Sequence, residues 1–585
     1  MALTKATYSM IRGAPVNVLD YGADPTGTVD STAAIQDAAT AAAGNTVILP
    51  EGTYLVSAPI TFPQRTSVLG VGRESTFVKI ASNMGDVFVF GSSSDANNHA
   101  LGSEVGGIFF YVDRPMVTGA TSTLQYKDTN NGSFIRMYGA RRCSVHDCQF
   151  WWKSRHVVFH GGSLNYIYNN DTLGVWDTAN SSLQECEYSL GVLYSAVHGA
   201  PKDYYITGNS LYGLQSASRS VTYDSYGSVT QTQSIGPKYH IYSDCLETLT
   251  FIGNYVGQAG DAGISINAAN LVANLRISDN FFDQNNFYDI FFNKSGSNYS
   301  LNTTISGNIF NGQQKAFHGI GVINPSDGTV VASSLNISDN IFGGYGKSPI
   351  TLGGAWGALI TGNVVRDYNC QYATLSSGAD TDGNYAAAVF LHGANSYTQV
   401  TGNLFGGGSN NYNQVANGCS YGVYSYPSNL PVTSETNNVN VGLNTAMSVG
   451  MLSSDQTKTG FLARGVTVTT GTGSKLFGSL DFDYRNDFNE TTGVYTAPVT
   501  GLYFISVSGT STNAGNLIIH INVDGSDITT SVSPSATSAS VTSSIHYRLN
   551  KGSTVTLRQS GGEFYSTNVA YSAFSVQLVT QTGVP

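Results

Sequence analysis

One seven-residue phrase constrains this chain more than any other feature. "TISGNIF" at 304–310 returns as "NISDNIF" at 336–342. It recurs as "YITGNSL" (205–211), "TFIGNYV" (250–256), "RISDNFF" (276–282), "LITGNVV" (359–365) and "QVTGNLF" (399–405). "SVHDCQF" (144–150) and "YIYNNDT" (166–172) are weaker copies. The shared Asn falls at 209, 254, 280, 308, 340, 363 and 403, with gaps of 45, 26, 28, 32, 23 and 40. If 45 is one coil with a long insertion, or two coils, the period is roughly 23–30 residues, the range of solenoid repeats.

Each period holds two short strand-like pieces. One resembles "GISIN", "DIFFN" or "GIGVIN"; the other ends in Gly-Asn or Asp-Asn. No helical periodicity lies between them, so a parallel β-helix is expected rather than an α/β solenoid. The Asn would stack on its equivalents in neighbouring coils as an amide ladder. Gly or Asp before it suits a corner with unusual backbone angles. Ile277, Ile305, Ile337 and Ile360 would stack inward as one core. Asp279 and Asp339, inside the repeat, are read as turn residues.

Composition agrees. Charged residues are only 11%, apolar residues 41%, and Gly (66) and Tyr (35) abound. That mixture favours strands and argues against disorder. A net charge of −11 argues against nucleic acid or anionic membranes as partners. No apolar run is long enough to span a membrane, and the opening "MALTKATYSMIRGAPV" shows no signal-peptide pattern. The six cysteines are scattered and read as buried free thiols. Cys143 and Cys148 flank His146 and Asp147, but their spacing fits no standard zinc pattern. No metal or cofactor is expected.

Both ends break the rhythm. Asp30-Ser31-Thr32 opens an Ala-rich stretch of helical spacing to about Ala43, expected to be a capped helix covering the open end of the first coil. Past residue 430 the Gly-Asn rhythm stops. Residues 431–454 read as a transition. From 455 to 585 short alternating strands with turns every 8–12 residues suggest a β-sandwich.

"VLDYGADPTGTVDSTAAIQDA" followed by "VILPEGTYLVSAPITF" resembles the entry segment of the pectate-lyase-like right-handed β-helix superfamily, and in particular of bacteriophage tailspikes and tail-fibre depolymerases. "FDYRNDFNETTGVYTAPVTGLYFISVS" with the terminal "YSAFSVQLV" resembles the C1q/TNF-like jelly roll, whose members associate through an aromatic-rich inner sheet. The resemblances imply an all-β homotrimer on the virion. Residues 1–15 would connect to another phage tail protein, 16–430 would form the catalytic β-helix, and 455–585 would trimerise or bind glycan.

A fold does not name a reaction, so the chemistry must come from side chains outside the coils. Sugar faces lie well on aromatic rings. The insertion at 211–239 carries Tyr212, Tyr223, Tyr226 and Tyr239. Aligning the coils on their first strand puts His156, His240, Gly263, Asp289 and Gly319 at one position, with Asp261 and His318 just upstream. Asp244 and Glu247 follow the strand, and Glu187 precedes the "SLGVLY" coil. Neighbouring coils are ~4.8 Å apart. Asp261 and Asp289 would then be a close pair suited to a retaining hydrolase, and Glu187 and Asp261, two coils apart if the insertion adds one coil, an inverting pair. His240 with Tyr239 and Lys238 would suit a lyase acting on a uronate glycan. Carboxylates outnumber cations along this edge, so hydrolysis of a bacterial surface polysaccharide is the leading expectation. The alternatives are β-elimination, a non-enzymatic receptor-binding fibre, and a bacterial pectate-lyase-like enzyme.

Overall fold

The computed structural model describes residues 13–81, 84–112, 132–174, 186–213, 215–223, 227–234, 236–294, 298–313, 316–322, 330–368, 387–392, 395, 397–406, 421–425, 434–441, 446–449, 452–453, 460–467, 471–483, 487–512, 515–565 and 571–581. Tyr226 and the connecting peptide up to residue 12 lie outside these residues. The chain divides into two compact units, Met1–Met451 and Leu452–Pro585.

The first unit is a parallel β-helix of three faces. Sheet I holds strands such as Tyr239–Ser243, Ala262–Asn267, Tyr288–Asn293 and His318–Val322. Sheet II holds Leu249–Ile252, Val272–Ser278, Ser300–Ser306 and Ala332–Ser338. Sheet III contains 14 strands, from Thr26–Asp30 to Val439–Val441. Long strands such as Arg155–Tyr168 run through sheets I and II, pairing with both Tyr188–Leu193 and Lys202–Thr207.

The repeat motif is the corner between sheets II and III. Asn170, Asn209, Asn254, Asn280, Asn308, Asn340, Asn363, Asn403 and Asn438 form a continuous ladder. In each step both the backbone N–H and the side-chain Nδ2 of one Asn donate to Oδ1 of the next, as at Asn280 and Asn308 (3.0 and 2.9 Å). Cys148 takes the place below Asn170 and donates its backbone N–H to Asn170 Oδ1, which explains the imperfect copy at 144–150. Asn209 bonds Asn254 directly, so the gap of 45 is one coil with an insertion.

The residue before each ladder member has positive φ: Asp147, Asn169, Gly208, Gly253, Asp279, Gly307, Asp339, Gly362, Gly402 and Asn437. Only Gly, Asn and Asp occupy it, as left-handed backbone requires. Inside, Ile277, Ile305, Ile337 and Ile360 are fully buried in one sheet II column. Phe282, Phe310 and Phe342 stack beside them at 4.8 and 4.5 Å between ring centres.

Thr32–Ala42 is the expected helix; it buries Ile35, Ala38, Ala39 and Ala42 against the first coils. Its cap differs in detail. Ser31 makes no side-chain capping bond, and Asp30 Oδ1 instead accepts from the Thr32 N–H (2.9 Å).

The β-helix also runs past residue 430, which corrects the expected linker over 431–454. Ser434–Thr436, Val439–Val441 and Ala446–Val449 pair with the preceding coils. Asn438 keeps the ladder going although Asn437 replaces the usual Gly or Asp before it.

The second unit is an antiparallel sandwich of a five-stranded and a six-stranded sheet. Phe461, Phe488, Tyr495, Tyr503 and Phe574 are buried between the sheets, so the aromatic-rich inner face is this unit's own core.

Candidate functional site

The corner between sheets III and I carries the ionisable groups. Strand register aligns Tyr188 with Tyr239 and Tyr239 with Ala262. One residue upstream, Glu187, Lys238 and Asp261 therefore hold the same place on three successive coils. Backbone bonds confirm the stacking: Lys238 O accepts from the Asp261 N–H (3.1 Å), and Glu187 O accepts from the Tyr239 N–H (2.9 Å).

The insertion springs from the same corner. It is an antiparallel hairpin, Gln215–Tyr223 paired with Gly227–Ser234. Its base is pinched by Gly213 and Gly236; an ideal Cβ on either would lie 2.0 or 1.9 Å from Gln258 O, which only glycine avoids. Tyr223 lies in the first hairpin strand, and its side chain is outside the described residues.

The three stacked residues have distinct environments. Burial pushes the Asp261 carboxyl up to about 6, against the pull of the Lys238 ammonium and a hydrogen bond from Tyr239. Burial and the adjacent Asp261 hold the Tyr239 phenol well above its ordinary range, so it stays protonated and donates. Lys238 Nζ sits 5.1 Å from the centre of the Tyr239 ring. Glu187 accepts two bonds on Oε2 from Arg155 (2.9 and 2.6 Å), and Arg155 also lies over the Tyr188 ring. Tyr242 stacks on both Tyr188 and Tyr239 at 5.5 and 5.6 Å, completing an aromatic floor. Arg155, Tyr188 and Tyr242 were not singled out from the sequence. Arg155 precedes His156 in the aligned register, and that adjacency was the available signal.

Other expected residues are placed differently. Asp289 is fully buried, so the expected surface pair with Asp261 does not form. It is in register with Gly263, not Asp261, and it faces the interior. There it accepts from Asn285 Nδ2 (2.7 Å) and from the Tyr345 hydroxyl, and burial pushes its carboxyl up to about 7. His240 is also interior; it donates from Nε2 to Gly257 O (2.8 Å), and burial lowers it to about 4. It is therefore neutral and out of reach of a substrate. His318 is buried under Tyr288, bonded to Ser348 O (2.6 Å), and lowered by burial to about 3. Asp244 accepts from the Tyr194 N–H (2.7 Å) and is raised by burial. Glu247 pairs with Lys202 at the start of sheet II, away from the stacked trio. Tyr212 is exposed on sheet III and tilts against Tyr255 (4.8 Å).

Cys143 and Cys148 are buried free thiols, while His146 faces outward between Glu104 (2.6 Å) and Asp147 (2.7 Å). Among the described residues no group of three or more His, Cys, Asp or Glu is arranged to hold a metal.

Chemically, the corner offers a carboxyl whose raised pKa suits proton donation and a second carboxylate fixed by Arg155. Two steps of ~4.8 Å put their backbones ~9.6 Å apart. That backbone spacing is just above the roughly 6.5–9.5 Å separation of carboxyl groups that leaves room for a water between acid and base.

Comparison with known proteins gives a consistent frame. Residues 15–235 match the family described as rhamnogalacturonase A/epimerase, pectate lyase-like. Residues 461–579 match the C1q domain. The preneck appendage proteins of Bacillus phages PZA and phi29 are each 25% identical over 189 residues, covering 29% of this chain and 20% of the relative. The chain thus spans about a fifth of the length of the curated relatives it matches. A double mutant of the tailspike protein of E. coli bacteriophage HK620, in complex with a pentasaccharide, is similar in fold, with a TM-score of 0.50 at 14% identity over 97% of this chain and 94% of that one.

Proposed function

We propose that this chain, tailspike-like in its pectate-lyase-like β-helix followed by a C1q-like domain, is a phage tail component that binds and cleaves a bacterial surface polysaccharide. Cleavage is by glycoside hydrolysis. Asp261 is the general acid and Glu187 activates the water. The stacking of Glu187, Lys238 and Asp261 on three successive coils, with the Asp261 carboxyl raised to about 6, carries this reading. A protonated carboxyl can donate to the leaving oxygen, while the Arg155-held carboxylate can take a proton from water. The half-buried Tyr239 and Tyr242 rings, backed by the buried Tyr188, would receive a sugar face. Residues 1–15 would join the virion and the C1q-like unit would assist assembly.

β-Elimination is the second reading, favoured by the cations Lys238 and Arg155 at the same corner, which would neutralise a uronate carboxylate. Capsule, exopolysaccharide and O-antigen preparations from candidate hosts decide between them. New reducing ends without unsaturated uronate absorbance mean hydrolysis; the absorbance means elimination. Asp261→Asn and Glu187→Gln should each lower the rate by about 100-fold or more. Full activity in both would overturn the assignment. Binding to host glycan with no chain shortening would leave a receptor-binding fibre.

A further inference from the structure

Asp261 ends a short turn, residues 258–261, between strand Tyr255–Gly257 of sheet III and strand Ala262–Asn267 of sheet I. The turn reads Gln-Ala-Gly-Asp, with a glycine directly before the carboxylate residue. Glycine leaves the backbone free to rotate, so contacts from outside the turn must set the direction of the Asp261 side chain. The next coil supplies them. Its stretch Asp283, Gln284, Asn285 and Asn286 is buried throughout. Four polar side chains in a row are costly to bury unless they are bonded.

The bonds of the two asparagines converge on the turn. Asn285 Oδ1 accepts from the Ala259 N–H (2.8 Å), and Asn286 Nδ2 donates to Gly260 O (3.1 Å). Gly260 O belongs to the peptide unit that carries the Asp261 N–H, and that N–H donates to Lys238 O (3.1 Å). The plane before Asp261 is therefore held at both ends. The plane after it is held too: Asp261 O accepts from the Phe287 N–H (2.9 Å), and the Ala262 N–H donates to Lys238 O (3.1 Å). Peptide units are rigid, so two fixed planes fix the Cα–Cβ direction between them. Asn285 is anchored in turn. Its Nδ2 donates to Asp289 Oδ1 (2.7 Å) and Val256 O (3.1 Å), while Asp289 Oδ2 accepts from the Tyr345 hydroxyl. Gly263 makes the room: an ideal Cβ there would lie 3.1 Å from Asn285 Nδ2 and 2.8 Å from Asp289 O. One coil below, backbone bonds join the same corner to its neighbour, from Lys238 to Cys186 O and from Tyr239 to Glu187 O. The Asp261 coil adds two buried amides to that pattern.

We infer that Asn285 and Asn286 are positioning residues that act through the turn 258–261 to aim the Asp261 carboxyl, with Asp289 as the anchor of Asn285. The inference rests on Asp261 being the general acid.

The groups facing Asp261 are Lys238 and the Tyr239 phenol; Asp283, Asp289 and Tyr345 lie behind Asn285. Burial in the held position raises the Asp261 carboxyl to about 6, and a released carboxyl would return toward about 4. On the host polysaccharide that the wild-type chain shortens, Asn285→Ala should lower kcat by about 10- to 100-fold and change KM by less than about threefold. The fall of kcat/KM at rising pH should move from near 6 toward about 4. A merely destabilised protein would lose active fraction at every pH and keep that limb in place. Exchanging the pair, Asn285→Asp with Asp289→Asn, keeps an oxygen for the Ala259 N–H and an amide–carboxyl bond, and should bring the limb back toward the wild-type position.

A second readout needs no substrate. Amidation of Asp261 by a carbodiimide and glycine ethyl ester, read by peptide mass spectrometry against the exposed Asp95, follows its protonated fraction. The pH at which labelling falls should drop by about one unit or more in Asn285→Ala. Asn286→Ala, which removes the bond to Gly260 O, should move it in the same direction and serves if Asn285→Ala does not fold. An unmoved labelling profile in the folded variants would overturn the inference, even with Asp261→Asn inactive and the acid assignment intact. Full activity in Asp261→Asn would overturn both.

Discussion

Asn308→Ala isolates the ladder. The Asn308 side chain accepts from the Asn280 N–H (3.0 Å) and Nδ2 (2.9 Å), and donates to Ile277 O (3.0 Å) and Asn340 Oδ1 (2.9 Å). Truncation strands the buried Asn280 N–H, which costs about 2 kcal/mol by itself. The remaining losses are milder: Asn280 Nδ2 still reaches Phe251 O and Ser278 O, and Asn340 Oδ1 still accepts from the Asn308 N–H. At about 1 kcal/mol each for two such bonds, the total is about 4 kcal/mol. Asn308→Asp should do no better, since it keeps the acceptor but turns an anion toward carbonyl oxygens. The exposed Asn298, bonded only weakly to Ala269 O (3.2 Å), serves as control, and Asn298→Ala should cost about 0.5 kcal/mol. Because each coil contacts chiefly its neighbours, the damage should be local. Hydrogen exchange should accelerate around 278–282 and 306–310 first, and guanidinium unfolding should quicken. If Asn308→Ala stays within about 1 kcal/mol of Asn298→Ala, the ladder is ornamental and the repeat is held by its apolar core alone.

Two further outcomes follow from buried groups. Asp289 is raised to about 7 in the folded chain, so between about pH 4 and 7 the folded state binds more protons than the unfolded one, and stability falls as pH rises. At about 1.4 kcal/mol per unit the loss is on the order of 4 kcal/mol; denaturation midpoints compared at the two ends of that window should show it, and Asp289→Asn should flatten it. Excising residues 214–235 and joining Gly213 to Gly236, whose backbones already converge, should leave thermal unfolding nearly unchanged while raising the KM for polysaccharide; a collapsed fold would show that the hairpin is structural.

The architecture was readable because the corner repeats chemically. A left-handed residue followed by a buried Asn admits so few side chains that Gly-Asn and Asp-Asn stand out in any coil. Asn170 and Asn438 were under-read for the same reason: each follows another Asn, which also tolerates positive φ but breaks the visual pattern. At the site, the coil alignment correctly stacked His156, His240, Gly263 and Asp289, yet gave no direction for their side chains. Strict alternation fails at the first strand position, where the chain is still turning, and Asp289 and Ile290 are both interior. One residue earlier Glu187, Lys238 and Asp261 stack at the corner, whereas the expected Asp289 and His240 lie in the interior. The exposed apolar residues of sheet III were hidden because they sit among core residues, as Ile309 lies four residues after Ile305 and directly before Phe310, and only register separates inside from outside.

The ladder also has a direction. From Asn170 to Asn403 each side-chain amide donates one N–H to the Asn oxygen of the following coil, and its own oxygen accepts from the preceding coil, beginning with the Cys148 backbone N–H. Nine side-chain dipoles aligned head to tail in a dry corner polarise one another and add. The β-helix thus carries a fixed axial field of the kind a helix has along its axis, without a helix. Its oxygen-rich pole lies near the coil of Cys148 and its N–H-rich pole near Asn438, so added cations are better tolerated beside the first and added anions beside the second.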